Sequence, residues 1–561
     1  MKSTLPIITN IFLISTITMV TATAAPPPNI VLLMADQLRW DAVGAYGINP
    51  GAKTPNLDKL ASEGVLFNNA YSSTPTCTPA RAALLTGLSP WYHGMIGYGV
   101  VAPEYNYEVA RVLSANNYQT TVIGKNHFWL NTTTDPSHGY ETEYLYDGLG
   151  TGFASGGTYD TYDQYFQTVL PGKDPLATGS PLMDWNSWNG APYVYNESLH
   201  PTAWVGQLAV NYLQNATANQ PFFLKVSFHR PHSPYDPPAR LLDSTPASDL
   251  PPIYAGNNSN WDGFFKDNTA CDPSNNDAWC GEMPDPNVTL ARRAYYANIR
   301  FVDEWIGNIL MALDNNSQIN DNTFIIFISD HGDGQGDHYH WRKGYPYEFS
   351  SHVPMIFRWP ASYNSNLPRN STSNLVTEIR DIFPTMLDIA GITPPKGTIL
   401  DGLPLTCILQ DPTGKTCEIN YTPRESTDQP ETKETTKANI VSTNVSPSPT
   451  TTTTVSWRQW IDMEHDICYN ITNHWNSLTD GEIKYVFIAY DATEQLFNLT
   501  NDPYEFNDVS KDNNYKATLQ LWRQRLVTQF ENEQRGTTWV KNGILQARPG
   551  SQTYSPYYPK W

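Results

Sequence analysis

Basic side chains are scarce in this chain. Its 561 residues carry 35 Lys and Arg against 55 Asp and Glu, a formal charge of −20. A protein that holds nucleic acid by neutralising phosphates needs the opposite balance, so that class is excluded. Such an exterior does not attract long polyanions either, and an anionic substrate would require a local pocket of positive charge. Apolar runs long enough to cross a bilayer are missing after the first twenty residues, which argues against a membrane protein. Cysteine is sparse, with six in all, so the fold cannot be a disulfide-dense scaffold.

What is present suits a packed globular protein. Hydrophobic residues make up 40% and aromatics 12%, which disfavours wholesale disorder. The length exceeds one compact core and accommodates a large α/β domain with a smaller partner. Lys2, the apolar run Ile7–Val20 and the small-residue site Ala22-Thr23-Ala24 predict a secretory signal over residues 1–24. A transmembrane anchor is the rival reading, but the run is short and Pro26-Pro27-Pro28 follows it. Eleven Asn-x-Ser/Thr sequons, among them Asn131, Asn196, Asn215, Asn287, Asn370, Asn470 and Asn498, fit a secreted, N-glycosylated chain. Cys271 with Cys280 and Cys407 with Cys417 are close enough in sequence to staple loops, leaving Cys77 and Cys468. A Cys77–Cys468 bridge is one outcome for that remainder, and a chemically modified Cys77 is the other.

Hydrophobic patterning predicts strands at Asn29–Met34, Thr120–Ile123, Phe222–Phe228 and Thr323–Ser329. Helices are expected from Thr54, over Val109–Ala115, over Ala291–Leu313 and over Thr377–Ala390 with Gly391 as its stop. Alternation of the two argues an α/β fold with a large, mostly parallel sheet flanked by helices. Residues 25–422 would form this domain. Residues 423–455 turn to Ser, Thr and Pro and read as a solvated linker or insertion. Residues 456–561, with a strand at Lys484–Ile488 and a helix at Ala517–Phe530, would form a smaller subdomain with an antiparallel sheet.

Several side chains fall just after predicted strand ends, where open α/β sheets bind ligands. Asp36-Gln37 follows the first strand, Gly124-Lys125-Asn126-His127 the next, and Asp330-His331-Gly332 the strand Thr323–Ser329. Carboxylates, an amide oxygen and an imidazole brought together suit a divalent cation. Alone, each pair would be a helix cap or a solvated turn.

Cys77-Thr78-Pro79-Ala80-Arg81, followed by Leu84-Leu85-Thr86-Gly87, resembles the signature of the formylglycine-dependent sulfatases. Further motifs of that family follow in order: Gly124-Lys125-Asn126-His127, Pro231-His232-Ser233-Pro234-Tyr235, Asp330-His331-Gly332 through Lys343-Gly344, and Gln495–Leu499 with Asn501-Asp502-Pro503. The resemblance covers residues 29–405 and 455–510. It implies the alkaline phosphatase-like α/β sandwich and hydrolysis of sulfate monoesters. It implies one divalent metal, held by Asp36, Gln37, Asp330 and His331 beside residue 77. Gln37 stands where a second aspartate is commoner, so the site loses one negative charge. Ca²⁺ is the expected ion, with Mn²⁺ and Mg²⁺ open.

In the family the signature cysteine is oxidised to formylglycine by a maturation enzyme. Its hydrate attacks sulfur, and His127 then takes the proton of the second hydroxyl as sulfate leaves; a serine would lack that second hydroxyl. By the same resemblance, Lys343 and His232 lie near the leaving oxygen, while Arg81 and Lys125 neutralise the sulfate. A secreted glycoprotein rich in Trp and Tyr suggests a sulfated carbohydrate as substrate, and Trp91, Tyr92, Trp129 and Trp341 are candidates for the mouth of the site. A phosphonate monoester or phosphodiester hydrolase of the same superfamily is the alternative enzyme. An inactive binding protein on the same fold is the alternative from another class.

Overall fold

The computed structural model describes residues 26–128, 137–147, 160–175, 177–180, 183, 186–256, 259–266, 278–283, 285–360, 367–394, 398–415, 417, 419–421, 453–455 and 457–559. The expected leader, most of the expected linker, Trp129, Asn131 and Cys271 lie outside that set.

Eight strands build the main sheet: β1 (Asn29–Asp36), β2 (Val65–Tyr71), β3 (Gln119–Gly124), β4 (Thr142–Leu145), β5 (Phe222–Pro231), β6 (Thr323–Ser329), β7 (Met355–Arg358) and β8 (Ser371–Glu378). Their order across the sheet is β4-β3-β5-β1-β6-β7-β2-β8. Only β7 runs antiparallel to its neighbours; the other pairings are parallel. β1 and β6 are apolar without interruption over residues 30–35 and 324–328 because both faces are covered. Val31 and Leu33 pack under helices Pro201–Asn215 and Asp285–Asp314, while Ile30, Leu32 and Met34 face helices Cys77–Thr86, Val109–Ala115 and Ile382–Ala390.

One predicted helix starts later than expected. Thr377 and Glu378 belong to β8, which pairs with β2, so sheet pairing overrides local helical preference there. The Asp381 side chain accepts from Glu378 N at 2.9 Å and caps the turn. The helix proper is Ile382–Ala390, and Gly391 ends it at φ 67° as anticipated.

Beyond β8, β9 (Ile419–Tyr421) and β10 (Thr453–Val455) pair across the expected linker. A separate antiparallel sheet then forms from β11 (Ile461–His465), β12 (Trp475–Thr479), β13 (Ile483–Ile488) and β14 (Thr493–Asn498). Helix Lys516–Asn532 covers it through Trp522, Leu526 and Phe530. The small sheet locks onto the large domain by buried charge. Lys484 of β13 reaches Glu348 at 2.6 Å and Glu505 at 2.9 Å. Glu348 also holds His352 at 2.6 Å, and that imidazole stacks between Trp40 and Tyr71. Cys407 and Cys417 are bonded, Cys280 is in a disulfide, and Cys77 and Cys468 are both free thiols. The Cys77–Cys468 bridge is therefore not formed. Among the described residues no helix is long and apolar enough to cross a membrane.

Candidate active site

Sheet register explains why the motif residues meet. β1 and β6 run parallel with Ala35 opposite Ser329, so Asp36 and Asp330 leave neighbouring strands at one level. On the other side of β1, β5 brings His232, whose N–H donates to the Asp36 carbonyl at 3.1 Å. Next, β3 delivers Lys125, whose N–H donates to the Ser227 carbonyl at 2.8 Å. Gly124 makes that approach possible. It sits at φ 102°, and a β-carbon there would lie 2.0 Å from the Ser227 carbonyl oxygen.

Cys77 opens the fully buried helix Cys77–Thr86, so the positive end of the helix faces the strand ends. Arg81, one turn on, points the same way. It donates to Asp330 at 3.0 Å, to the Lys125 carbonyl at 2.8 Å and to Ser227 Oγ at 3.1 Å. Around the Cys77 sulfur stand Lys343 Nζ at 2.9 Å, His331 Nε2 at 3.3 Å, Asp36 Oδ1 at 3.6 Å and Lys125 Nζ at 3.7 Å. Lys125 is also ion-paired with Asp36. Burial alone would raise the Cys77 thiol, but Lys125, Lys343 and His331 outweigh it and hold it well below its ordinary value.

Asp36, Cys77, Asp330 and His331 each offer a ligand atom within 4.8 Å of the others. Burial and the neighbouring Asp36 charge raise Asp330, whereas the cations Lys125 and Lys343 help to overcome burial and hold Asp36 low. Two carboxylates this close and this dry favour a cation between them. Gln37 fits the same role. Its Nε2 donates to Asp333 at 2.6 Å, which leaves the buried Oε1 with no hydrogen-bond partner. His331 donates from Nδ1 to the Gly332 carbonyl at 2.9 Å, which frees Nε2 to act as a ligand. The donor set is oxygen-rich with one imidazole, as a hard divalent ion requires.

His127 and His232 complete the ring around residue 77. Both ring nitrogens of His127 lack a hydrogen-bond partner, and burial followed by Lys125 lowers its pKa. Burial, then Lys343, pushes His232 down to about 3, and its Nδ1 faces the Ser233 carbonyl at 2.8 Å. Both imidazoles are thus neutral near pH 7. The structure therefore brings together all ten singled-out residues: Asp36, Gln37, Cys77, Arg81, Lys125, His127, His232, Asp330, His331 and Lys343.

The aromatic expectations fare differently. Trp91 is buried against Trp539 and Tyr557 with Arg535 over its ring, and Trp341 is buried beside Trp188. Both are core residues, because closeness to a motif in sequence does not fix which way a side chain points. Sequence reasoning also passed over supporting groups. Asp333 holds Gln37 and accepts from Arg342 N at 3.0 Å; its place in the Asp330–Asp333 run was the available signal. Asp147 accepts from the backbone of Asn126 and His127, and His465 of the small sheet meets Thr76 at 3.0 Å. No local pattern marks either.

A family model described as Sulfatase matches residues 28–392. The chain belongs to the sulfatase family. It is 32% identical over 537 residues to an arylsulfatase of Clostridium perfringens, covering 93% of this chain and 98% of that one. A phosphonate monoester hydrolase of Agrobacterium radiobacter shares the fold at a TM-score of 0.67 and 23% identity, over 90% of this chain and 96% of that one. BT4656 in complex with its substrate D-glucosamine-2-N,6-O-disulfate does so at 0.64 and 19%, over 91% and 99%. This sulfatase is accordingly a sulfuric ester hydrolase on an alkaline phosphatase-like α/β sandwich.

Proposed function

We propose that this sulfatase cleaves sulfate monoesters of carbohydrates with a formylglycine made from Cys77 and one divalent cation, Ca²⁺ by its oxygen-rich donor set. The observation that carries the reading is a signature cysteine at a helix start, with Lys343, Lys125 and His331 within 3.7 Å of its sulfur. That sulfur marks where the oxidised residue's hydroxyl oxygens would stand. Oxidation of residue 77 to an aldehyde, followed by addition of water, supplies a geminal diol, hence an oxygen nucleophile with a second proton to give. Asp36, Gln37, Asp330 and His331 would hold the cation, which when bound polarises the sulfate and offsets its charge.

The remaining steps belong to the chain. Arg81 and Lys125 bind and orient the anionic sulfate. His127 is a neutral base, able to accept the proton of the second hydroxyl. Lys343 is the donor to the departing alcohol oxygen. His232, neutral and turned toward Ser233, orients its neighbours and leaves the proton to Lys343. We also infer export and N-glycosylation: Asn196, Asn215, Asn287 and Asn370 are exposed, as attachment requires.

The test is a substrate panel with the purified chain. Sulfate release from a hexosamine 6-sulfate and 4-nitrophenyl sulfate should exceed hydrolysis of a matched phosphonate monoester. Cys77→Ala should abolish turnover with the melting temperature retained, and peptide mass should show an aldehyde at residue 77. Preference for the phosphonate would favour the alternative activity, phosphonate monoester hydrolysis, and turnover by Cys77→Ala would sink the mechanism.

A further inference from the structure

Two solvent-facing tyrosines flank the catalytic groups without taking part in them. Tyr98 is 46% exposed, and its ring meets the His127 ring edge-on at 6.3 Å. Tyr469 is 39% exposed, and the Arg342 guanidinium lies over its ring at 4.5 Å, one residue from Lys343. One tyrosine therefore stands on the His127 side of residue 77 and the other on the Lys343 side.

The backbone of Tyr469 is held in place at some cost. Tyr469 adopts φ 64°, a left-handed conformation that disfavours a side chain bearing a β-carbon. The loop around it is tied to the catalytic domain. Asn473 Nδ2 and Trp475 Nε1 both donate to the Gly344 carbonyl at 3.0 Å. Gly344 itself is at φ 87°, and a β-carbon there would lie 2.8 Å from the Cys468 sulfur. Only glycine lets the loop sit this close to Lys343. The Tyr98 loop is anchored too, by Gly99 N to Thr78 Oγ1 at 3.4 Å, and by Asp466 N to the Ile96 carbonyl at 2.6 Å. That last bond joins the two tyrosine-bearing loops to each other. Single exposed aromatics are ordinary, but two on loops tethered to one catalytic centre, one of them strained, are not.

We propose that Tyr98 and Tyr469 form an aromatic clamp for the ring of the alcohol that carries the sulfate, and so determine specificity. The proposal rests on the sulfate ester reading and adds to it the class of alcohol: one with a flat ring face, pyranose or aryl, that stacks on the tyrosines. The inorganic half of the substrate would not touch them.

The experiment compares wild type with Tyr98→Ala, Tyr469→Gly and Tyr469→Phe. KM and kcat are measured on a hexosamine 6-sulfate and on 4-nitrophenyl sulfate, with inorganic sulfate as a ringless competitor. Tyr98→Ala and Tyr469→Gly should each raise KM about 3- to 10-fold. The inhibition constant of sulfate should stay within about twofold, and Tyr469→Phe should behave as wild type. Tyr469→Gly should melt no lower than wild type, since glycine relieves the positive φ; a purely structural tyrosine would lower it. The substrate that loses more identifies the ring as pyranose or aryl. KM unmoved in both variants, or a sulfate inhibition constant rising in parallel with KM, overturns the clamp. If wild type prefers phosphonate monoesters, the sulfate reading falls on its own. The same split is then read on phenyl phosphonate esters with inorganic phosphate as competitor.

Discussion

Two of the buried clusters of charge are built on opposite terms. Between the sheets, Lys484 sits between Glu348 and Glu505, Glu348 accepts from His352, and the Glu348 N–H donates to Glu505 at 2.7 Å. Each glutamate there lies within 2.9 Å of Lys484, although His352 Nε2 is left without a hydrogen-bond partner. Around Cys77, by contrast, two carboxylates crowd together, Gln37 Oε1 and both His127 nitrogens lack partners, and three cations converge on one sulfur and its neighbours. Buried polar groups are normally satisfied, so a place where they are left open is where a ligand completes them. Charge density alone does not separate a scaffold from a site; here one cluster places a cation between its carboxylates, and the other crowds two carboxylates beside open acceptors.

The strongest way to break the comparison is Lys484→Met. It strips the cation from two buried glutamates and should cost about 3–5 kcal/mol of stability in a urea titration, with kcat per folded molecule kept. Loss of activity at unchanged stability would erase the distinction between the clusters. Gly124→Ala should lose activity as well as stability, because its β-carbon meets the Ser227 carbonyl at φ 102°. Pushing Lys125, the proposed sulfate-binding cation, about 1 Å off the Ser227 carbonyl should lower kcat/KM about 10²-fold on a sulfate ester. A wild-type rate would mean that the glycine serves packing only.

The smallest effect is read by pH. Burial, opposed by Lys484 and reinforced by Glu348, raises Glu505 to about 7, while Lys484 and His352 outweigh burial and bring Glu348 down to about 2. Glu505 therefore keeps its proton in the folded state over a range where the unfolded chain, titrating near 4.5, has lost it. Its contribution to stability is full below pH 4.5 and lost as pH rises through 7, with a slope of at most about 1.4 kcal/mol per pH unit. Comparing the urea midpoints of wild type and Glu505→Gln from pH 5 to 8 should show that slope in the first and its removal in the second.

Much of this was legible in the chain itself. Unbroken apolar runs ending in Asp36 and Ser329, and the β-branched stretch before Gly124, announce parallel strands, and residues after such ends converge by geometry. That is why every singled-out catalytic and metal candidate arrives at one place. Thr377 and Glu378 misled because β8 is made by its partner β2, not by its own preference. Trp91 and Trp341 misled because orientation is set by packing with Trp539 and Trp188, hundreds of residues from one and far upstream of the other. Tyr469 gave no signal, since its position depends on what Gly344 permits.

Cys77 is only 1% exposed, at the head of a helix sealed beneath four strand ends. An enzyme that must grip this thiol to oxidise it has no route in once β1, β5 and β6 have paired. The proposed modification is then a matter of timing. It falls in the interval between synthesis of the signature and closure of a sheet whose sixth strand lies some 250 residues downstream, an interval that parallel pairing of distant strands makes long. A chain that folds before it is oxidised would be stable, well packed and without a nucleophile.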